Sequence, residues 1–204
     1  MNIIMTGSTS FVGAATVREL LRRGHTVTAI VRPKSSKLDT ILEGNEEALL
    51  SGRLLVAEND LSEPEKLLEK VTKPQDVFCH FGWGGSGSAS RTDKALQEKN
   101  MEISLETIRT AKALGCKKFL FSGSQAEYGM HQDLITENTV CEPKSLYGEA
   151  KLAMREKGEK LCDELGLRYI HARIFSAYGP GDHPWTLVES CLDTFLSNKE
   201  MALG

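Results

Sequence analysis

Tyr147 and Lys151 stand four residues apart in Ser145-Leu146-Tyr147-Gly148-Glu149-Ala150-Lys151. On a helix that spacing is about one turn, so a phenol and an ammonium emerge on one face within reach of a common ligand. A free tyrosine titrates at about pH 10 and is a poor base at neutral pH. A neighbouring ammonium favours the phenolate, which makes the pair a proton-transfer device. The same spacing recurs on solvated helix faces, so the reading depends on the elements that position the pair.

The chain begins with one such element. Asn2-Ile3-Ile4-Met5 is a short apolar run of the kind that forms a buried parallel strand. It leads into Thr6-Gly7-Ser8-Thr9-Ser10-Phe11-Val12-Gly13. Ala14, Val17, Leu20 and Leu21 then recur with helical spacing, and Arg22-Arg23-Gly24 supplies a basic last turn and a stop. Strand, glycine turn and helix form a context in which Gly7 permits the tight turn and Gly13 lets the helix pack close to the strand. The helix N-terminus offers amide donors and a positive dipole end to a pyrophosphate.

Further along, strands and helices alternate in the rhythm of a parallel sheet. Strands are predicted over Thr26–Val31, Arg53–Ala57 and Arg168–Ile174. Helices are predicted over Pro64–Lys70, Asp93–Leu114 (stopped by Gly115), Ser145–Leu165 (stopped by Gly166) and Pro184–Ser197. Gly82–Ser90, rich in glycine and serine, reads as a loop beside a ligand or as a plain connector. No internal repeat interrupts this order.

Composition excludes several classes. With 204 residues the chain suffices for one α/β domain and is short for two. A net charge of −3 without a basic cluster argues against nucleic acid as a partner. The five cysteines (Cys79, Cys116, Cys141, Cys162 and Cys191) form no C-x-x-C pair and no zinc spacing, the pattern of reduced thiols in a cytoplasmic protein. No apolar run approaches the roughly 18 residues of a membrane span, and Met1 starts a strand where a signal peptide would carry its charged segment.

These residues together resemble the extended short-chain dehydrogenase/reductase family, the NAD-dependent epimerase/dehydratase group of nucleotide-sugar type. The family opens T-G-x-x-G-F-x-G, matched here except at Ser10, where the middle glycine is replaced. Either Ser10 weakens cofactor affinity or its hydroxyl donates to a phosphate. The resemblance implies a Rossmann-type doubly wound parallel sheet, a three-layer αβα sandwich with strand order 3-2-1-4-5-6 and the ligand at its carboxyl edge. It places the fourth strand at Asp76–Phe81 and the fifth at Lys118–Ser124, and implies cofactor contacts at Gly7, Ser10, Phe11, Val12 and Gly13, at Phe81, Gly82 and Trp83, and at Asn100 and Ser122. Arg173-Ile174-Phe175-Ser176-Ala177-Tyr178-Gly179-Pro180-Gly181 is similar to the segment lining the nicotinamide side, with Ile174, Phe175 and Ser176 as contacts and Ser176 in place of the usual asparagine.

Cofactor choice is argued at the end of the second strand. NAD-selective members carry an acid there; this chain has Val31 followed by Arg32, with Lys34 and Lys37 nearby. A guanidinium grips a phosphate with two hydrogen bonds, so NADP(H) is expected over NAD(H), with NAD(H) still possible. The other reading has Arg32 stacked on adenine or solvated. Asp60, followed by Leu61, resembles the family's adenine-contacting aspartate or caps the next segment.

The resemblance assigns the chemistry: Tyr147 moves the proton, Lys151 bonds the nicotinamide ribose and lowers the tyrosine pKa, and Ser124 orients the substrate oxygen. Gln125 and Ala126 occupy the positions where dehydratases carry an Asp-Glu pair, which disfavours elimination and leaves sugar epimerisation or 4-keto reduction. A dinucleotide-binding redox sensor without turnover is the alternative. The family also implies a nucleotide-sugar substrate, a homodimer through the 93–114 and 145–165 helices, and a C-terminal substrate domain largely absent here if the chain is truncated after Gly204.

Overall fold

Nearly continuous apolar runs form strands because both faces of a parallel sheet are covered. In the computed structural model, β1 (Asn2–Thr6), β2 (Thr26–Val31), β3 (Leu54–Glu58), β4 (Val77–His80), β5 (Lys118–Ser124) and β6 (Arg168–Ile174) make a six-stranded parallel sheet in the order β3-β2-β1-β4-β5-β6. The expected Rossmann-type order is therefore the observed one. Successive residues of β1 serve opposite layers: Ile3 and Met5 join the cluster containing Val17, Leu21 and Leu54, while Ile4 joins Phe78, Phe119, Ile108 and Met154. The described residues are 1–85, 87 and 89–200; Ser86 and Ser88 of the glycine- and serine-rich stretch, and residues 201–204, lie outside them.

The helices are α1 (Phe11–Arg22), α2 (Asp39–Leu42), α3 (Glu46–Leu50), α4 (Leu67–Lys70), α5 (Lys94–Ala113), α6 (Leu146–Leu165) and α7 (Leu187–Leu196). Their ends follow local chemistry. Ser10, Asp93 and Ser145 cap α1, α5 and α6 by accepting from Gly13, Leu96 and Gly148 amides, and Gly166 ends α6 in the left-handed conformation at φ 66°. Short α2 and α3, which the sequence pattern does not announce, bury chiefly Ile41 and Ala48 against the α1 layer.

Two rows of rings cross β4, β5 and β6 on the face covered by α5 and α6. Register aligns Phe78, Phe119 and Tyr169 in one row, and His80, Phe121 and His171 in the next. Neighbouring ring centres lie 5.5–6.4 Å apart within these rows. They form the floor under the carboxyl end of the sheet.

The chain divides into two compact units, Met1–Ile174 and a second beginning at Phe175. In the second, α7 starts at Leu187 and not at Pro184, because Thr186 closes a turn on the His183 carbonyl and its hydroxyl reaches Asp182. Phe175 and Ser176 open this unit as exposed residues.

Candidate active site

The turn after β1 is held tight by its own side chains. Gly7 takes φ 69°, and a Cβ there would come within 2.7 Å of the Phe81 backbone. A Cβ on Gly13 would fall on the Gly7 carbonyl oxygen, so the close approach that Gly13 permits is to its own loop. Ser10 donates to that same carbonyl at 2.8 Å and accepts from Gly13 at 3.1 Å, which commits its hydroxyl within the turn. Phe11, Val12 and Gly13 form the first turn of α1.

Beside this turn runs a cleft of about 380 Å³. Gly7, Ser10, Arg32, Asp60, Leu61, Phe81, Gly82 and Trp83 line it, and so does Lys37, whereas Lys34 does not. Asp60 accepts from the Ser62 hydroxyl at 2.7 Å and the Ser62 amide at 2.9 Å, so its carboxylate closes a local turn while facing the cleft. Those bonds, with Arg32 nearby, hold its pKa below the usual carboxylate value. A phosphate-bearing adenosine moiety suits these walls: a 12-residue helix opens at one end, basic side chains stand at the other, and glycines keep the middle clear.

The loop after β4 is fixed by a buried relay. The Gly82 amide donates to the Thr6 hydroxyl at 3.2 Å, and that hydroxyl lies 2.9 Å from His80 Nδ1. His80 Nε2 lies 3.1 Å from the Ser104 hydroxyl, which donates to the Asn100 carbonyl at 2.7 Å. Because the Ser104 proton is used, Nε2 is a protonated nitrogen, and with burial keeping the ring neutral Nδ1 is left to accept from the Thr6 hydroxyl. Burial, helped by the Lys151 charge, pushes its pKa down to about 3. Asn100 completes the loop by accepting from the Gly84 amide and donating to the Gly84 carbonyl, at 2.8 and 2.9 Å.

Ser124, Tyr147 and Lys151 converge on the other side of Trp83. Gly148 allows it: a Cβ there would fall on the Ala126 carbonyl, so only glycine lets the first turn of α6 press on the turn that follows Ser124. Burial raises the Tyr147 pKa, opposed by the Ser124 hydroxyl and the Arg91 guanidinium, which lies 5.0 Å over the ring. The expected lowering by Lys151 is absent from this arrangement, because the ammonium is turned inward. Its Nζ donates to the Ser122 carbonyl at 2.8 Å and sits 3.9 Å from the Trp83 ring centre, against 5.7 Å for Tyr147. Burial brings the Lys151 pKa down to about 7, with Glu127 acting the other way. Ile174 lies opposite Ser124 in the β5–β6 register.

One group escaped the sequence reading. Glu127 is wholly buried and accepts from the Ser124 amide at 2.7 Å, from Arg173 Nε at 2.9 Å and from His171 at 2.9 Å. The only signal in the sequence was Gly123, a glycine within a strand, the mark of a close approach. Among the described residues, no cluster of histidine, cysteine or acidic side chains could hold a metal ion, and no helix is long and apolar enough to cross a membrane.

Comparison with known proteins fits this arrangement. The chain is 27% identical over 218 aligned positions to an uncharacterized UDP-glucose epimerase of Bacillus subtilis, covering all of this chain and 65% of the relative. It is 30% identical to a dTDP-6-deoxy-L-talose 4-dehydrogenase (NAD(+)) of Aggregatibacter actinomycetemcomitans, covering 83% of this chain and 60% of the relative. The chain thus spans less than two thirds of either relative's length. A solved UDP-glucose 4-epimerase of Thermotoga maritima superposes with a TM-score of 0.81 at 24% identity, covering 100% of this chain and 66% of that one, a likeness of fold. The sequence profile of the NAD dependent epimerase/dehydratase family matches residues 3–203, and the chain belongs to that family, within the extended short-chain dehydrogenases/reductases.

Proposed function

We propose that the chain is the dinucleotide-binding, proton-transferring part of a nucleotide-sugar epimerase or 4-ketoreductase. The supporting observation is the meeting of Ser124 and Tyr147 over Lys151 at the carboxyl edge of β5, next to a glycine-walled cleft. Tyr147 exchanges a proton with the sugar oxygen, Ser124 orients that oxygen, and Lys151 holds the nicotinamide ribose once freed from Trp83. The dinucleotide, when bound, supplies hydride acceptance and return. Phe175 and Ser176 are assigned to the nicotinamide side on the resemblance alone. Gln125 and Ala126 offer no acid–base pair after Ser124, which argues against elimination.

NADP(H) is the proposed cofactor, since Arg32 and Lys37 line the cleft and no acid follows β2 at Val31. The substrate class follows the relatives, which are named for UDP- and dTDP-linked sugars. A homodimer through α5 and α6 is proposed on the resemblance, and light scattering that finds a monomer would remove it.

The test mixes the protein with a panel of UDP- and dTDP-linked sugars and their 4-keto forms, with NADPH or NADH. Reduced-nicotinamide absorbance and NMR of the sugar are followed together. Turnover of at least one sugar, abolished in Tyr147→Phe, is expected. Dinucleotide binding with no turnover across the panel would replace this reading with a redox-sensing binding protein.

A further inference from the structure

Among the described residues Glu127 is the only fully buried carboxylate, and three N–H donors reach its two oxygens. Oε1 takes the Ser124 amide and His171 Nε2; Oε2 takes Arg173 Nε, with His171 Nε2 also within 3.0 Å. Each partner is held from behind. Arg173 donates to the Tyr128 hydroxyl at 2.6 Å and to Cys141 Sγ at 3.5 Å. His171 Nδ1 lies 3.1 Å from the Tyr169 hydroxyl, whose own proton goes to the Met154 carbonyl. His171 thus meets an oxygen at each ring nitrogen, which fixes the orientation of the ring.

Gly123 makes the room: a Cβ there would collide with His171 Nε2 and come within 2.7 Å of Glu127 Oε1. A carboxylate held by three N–H donors and wholly buried is not presented to a substrate as the acid or base of an elimination. It sits, however, directly behind Ser124. The Ser124 hydroxyl accepts from the Ala126 amide at 3.2 Å while Glu127 accepts from the Ser124 amide, a reciprocal capping box. With Ala126 occupying one acceptor position, the hydroxyl keeps its proton and one lone pair to offer outward.

We propose that Glu127 is a positioning residue for this site: its bond to the Ser124 amide, braced by His171 and Arg173, aims the Ser124 hydroxyl at Tyr147 and the substrate oxygen. The proposal rests on the reading of Ser124 and Tyr147 given above. The titratable and charged groups that face it are His171, Arg173 and Tyr169 from β6 and Tyr147 and Lys151 from α6.

The test is Glu127→Gln in the full chain, a change of charge at nearly constant volume, read in two ways. The Ser124 amide proton, monitored by NMR, is expected to move upfield as its short bond to a carboxylate is lost. Turnover is expected to fall about ten- to a hundredfold in kcat, the scale of one hydrogen bond to a charged group, with KM and dinucleotide affinity within about twofold of wild type. Gly123→Ala, which keeps every charge but displaces the carboxylate, should reproduce the loss. An unchanged kcat in Glu127→Gln would overturn the proposal, as would kcat and dinucleotide affinity falling in parallel, the behaviour of a fold clamp. If the wild type turned over no nucleotide sugar, the functional reading would fall and the Ser124 amide would still decide: unmoved, it overturns the positioning role; moved, it supports it.

Discussion

Lys151 Nζ lies 3.9 Å from the centre of the Trp83 ring and donates to the Ser122 carbonyl, so the cleft ends at an indole with the lysine beneath it. An ammonium over an indole face is worth about 0.5–2 kcal/mol, and the Trp83 indole is also tied to Gln97 at 3.0 Å. A ligand that bonds Lys151 has to displace this contact, whereas one confined to the Arg32 end does not. In a Trp185→Phe background Trp83 is the only tryptophan. Its emission should therefore change on adding NADPH and stay constant on adding 2′-phospho-ADP, which carries no nicotinamide. An equal response to both ligands would show that Trp83 does not gate the lysine.

Tyr147→Phe removes the proton carrier while keeping the ring that packs edge-on against Trp83 at 6.2 Å. General acid–base catalysis contributes about a hundred- to ten-thousandfold, so kcat should drop by at least about a hundredfold. Dinucleotide affinity, measured by titration calorimetry, should remain within about twofold, because the phenol oxygen lies outside the cleft walls. Retained turnover would take Tyr147 out of the mechanism.

The inner strands Asn2–Met5 and Thr26–Val31 are legible because burial on both faces makes them apolar runs, whereas edge strand Arg168–Ile174, exposed or half-buried along its length, is legible from its place after Gly166 in the alternating order. Helix ends were legible where a local rule applies, as with Asp93 and Ser145 before α5 and α6 and Gly166 after α6. Glu127 was not, because its meaning comes from His171 and Arg173, 44 and 46 residues further on, and nothing at its own position marks it apart from other acids. The inward turn of Lys151 was equally hidden. Spacing puts it on the face of Tyr147, but the choice between the phenol and the Trp83 ring belongs to tertiary packing. Short α2 and α3 carry too few buried residues to set up a periodic signal.

Arg32 stands at the cleft wall where an acid would favour a ribose hydroxyl. Replacing it with alanine removes a charged partner of a 2′-phosphate, a loss of about 1.5–3 kcal/mol, so the Kd for NADPH should rise by at least about tenfold. NADH lacks that phosphate and should bind the variant within about twofold of wild type. If NADH bound the unmodified protein as well as NADPH, the assignment of cofactor would be wrong, whatever the variant did.

His80 gives the fold a pH dependence of definite sign. Burial, with the Lys151 charge adding to it, lowers its pKa from 6.5 to about 3. Between those values the unfolded chain carries a proton that the folded chain lacks, so stability rises with pH and is lost as pH falls below 6.5. Glu127, whose pKa is lowered, acts in the same direction but only below the ordinary carboxylate value of 4.5. The window from pH 6.5 down to 5 therefore isolates histidine, and over it the His80 contribution is about 2 kcal/mol. Urea unfolding at both pH values should show a smaller drop in His80→Gln than in wild type, even though the variant starts less stable after losing the Thr6 and Ser104 contacts. Equal drops would mean that the fold does not depress the His80 pKa, and at pH 5 Nδ1 would then carry a proton and donate to the Thr6 hydroxyl.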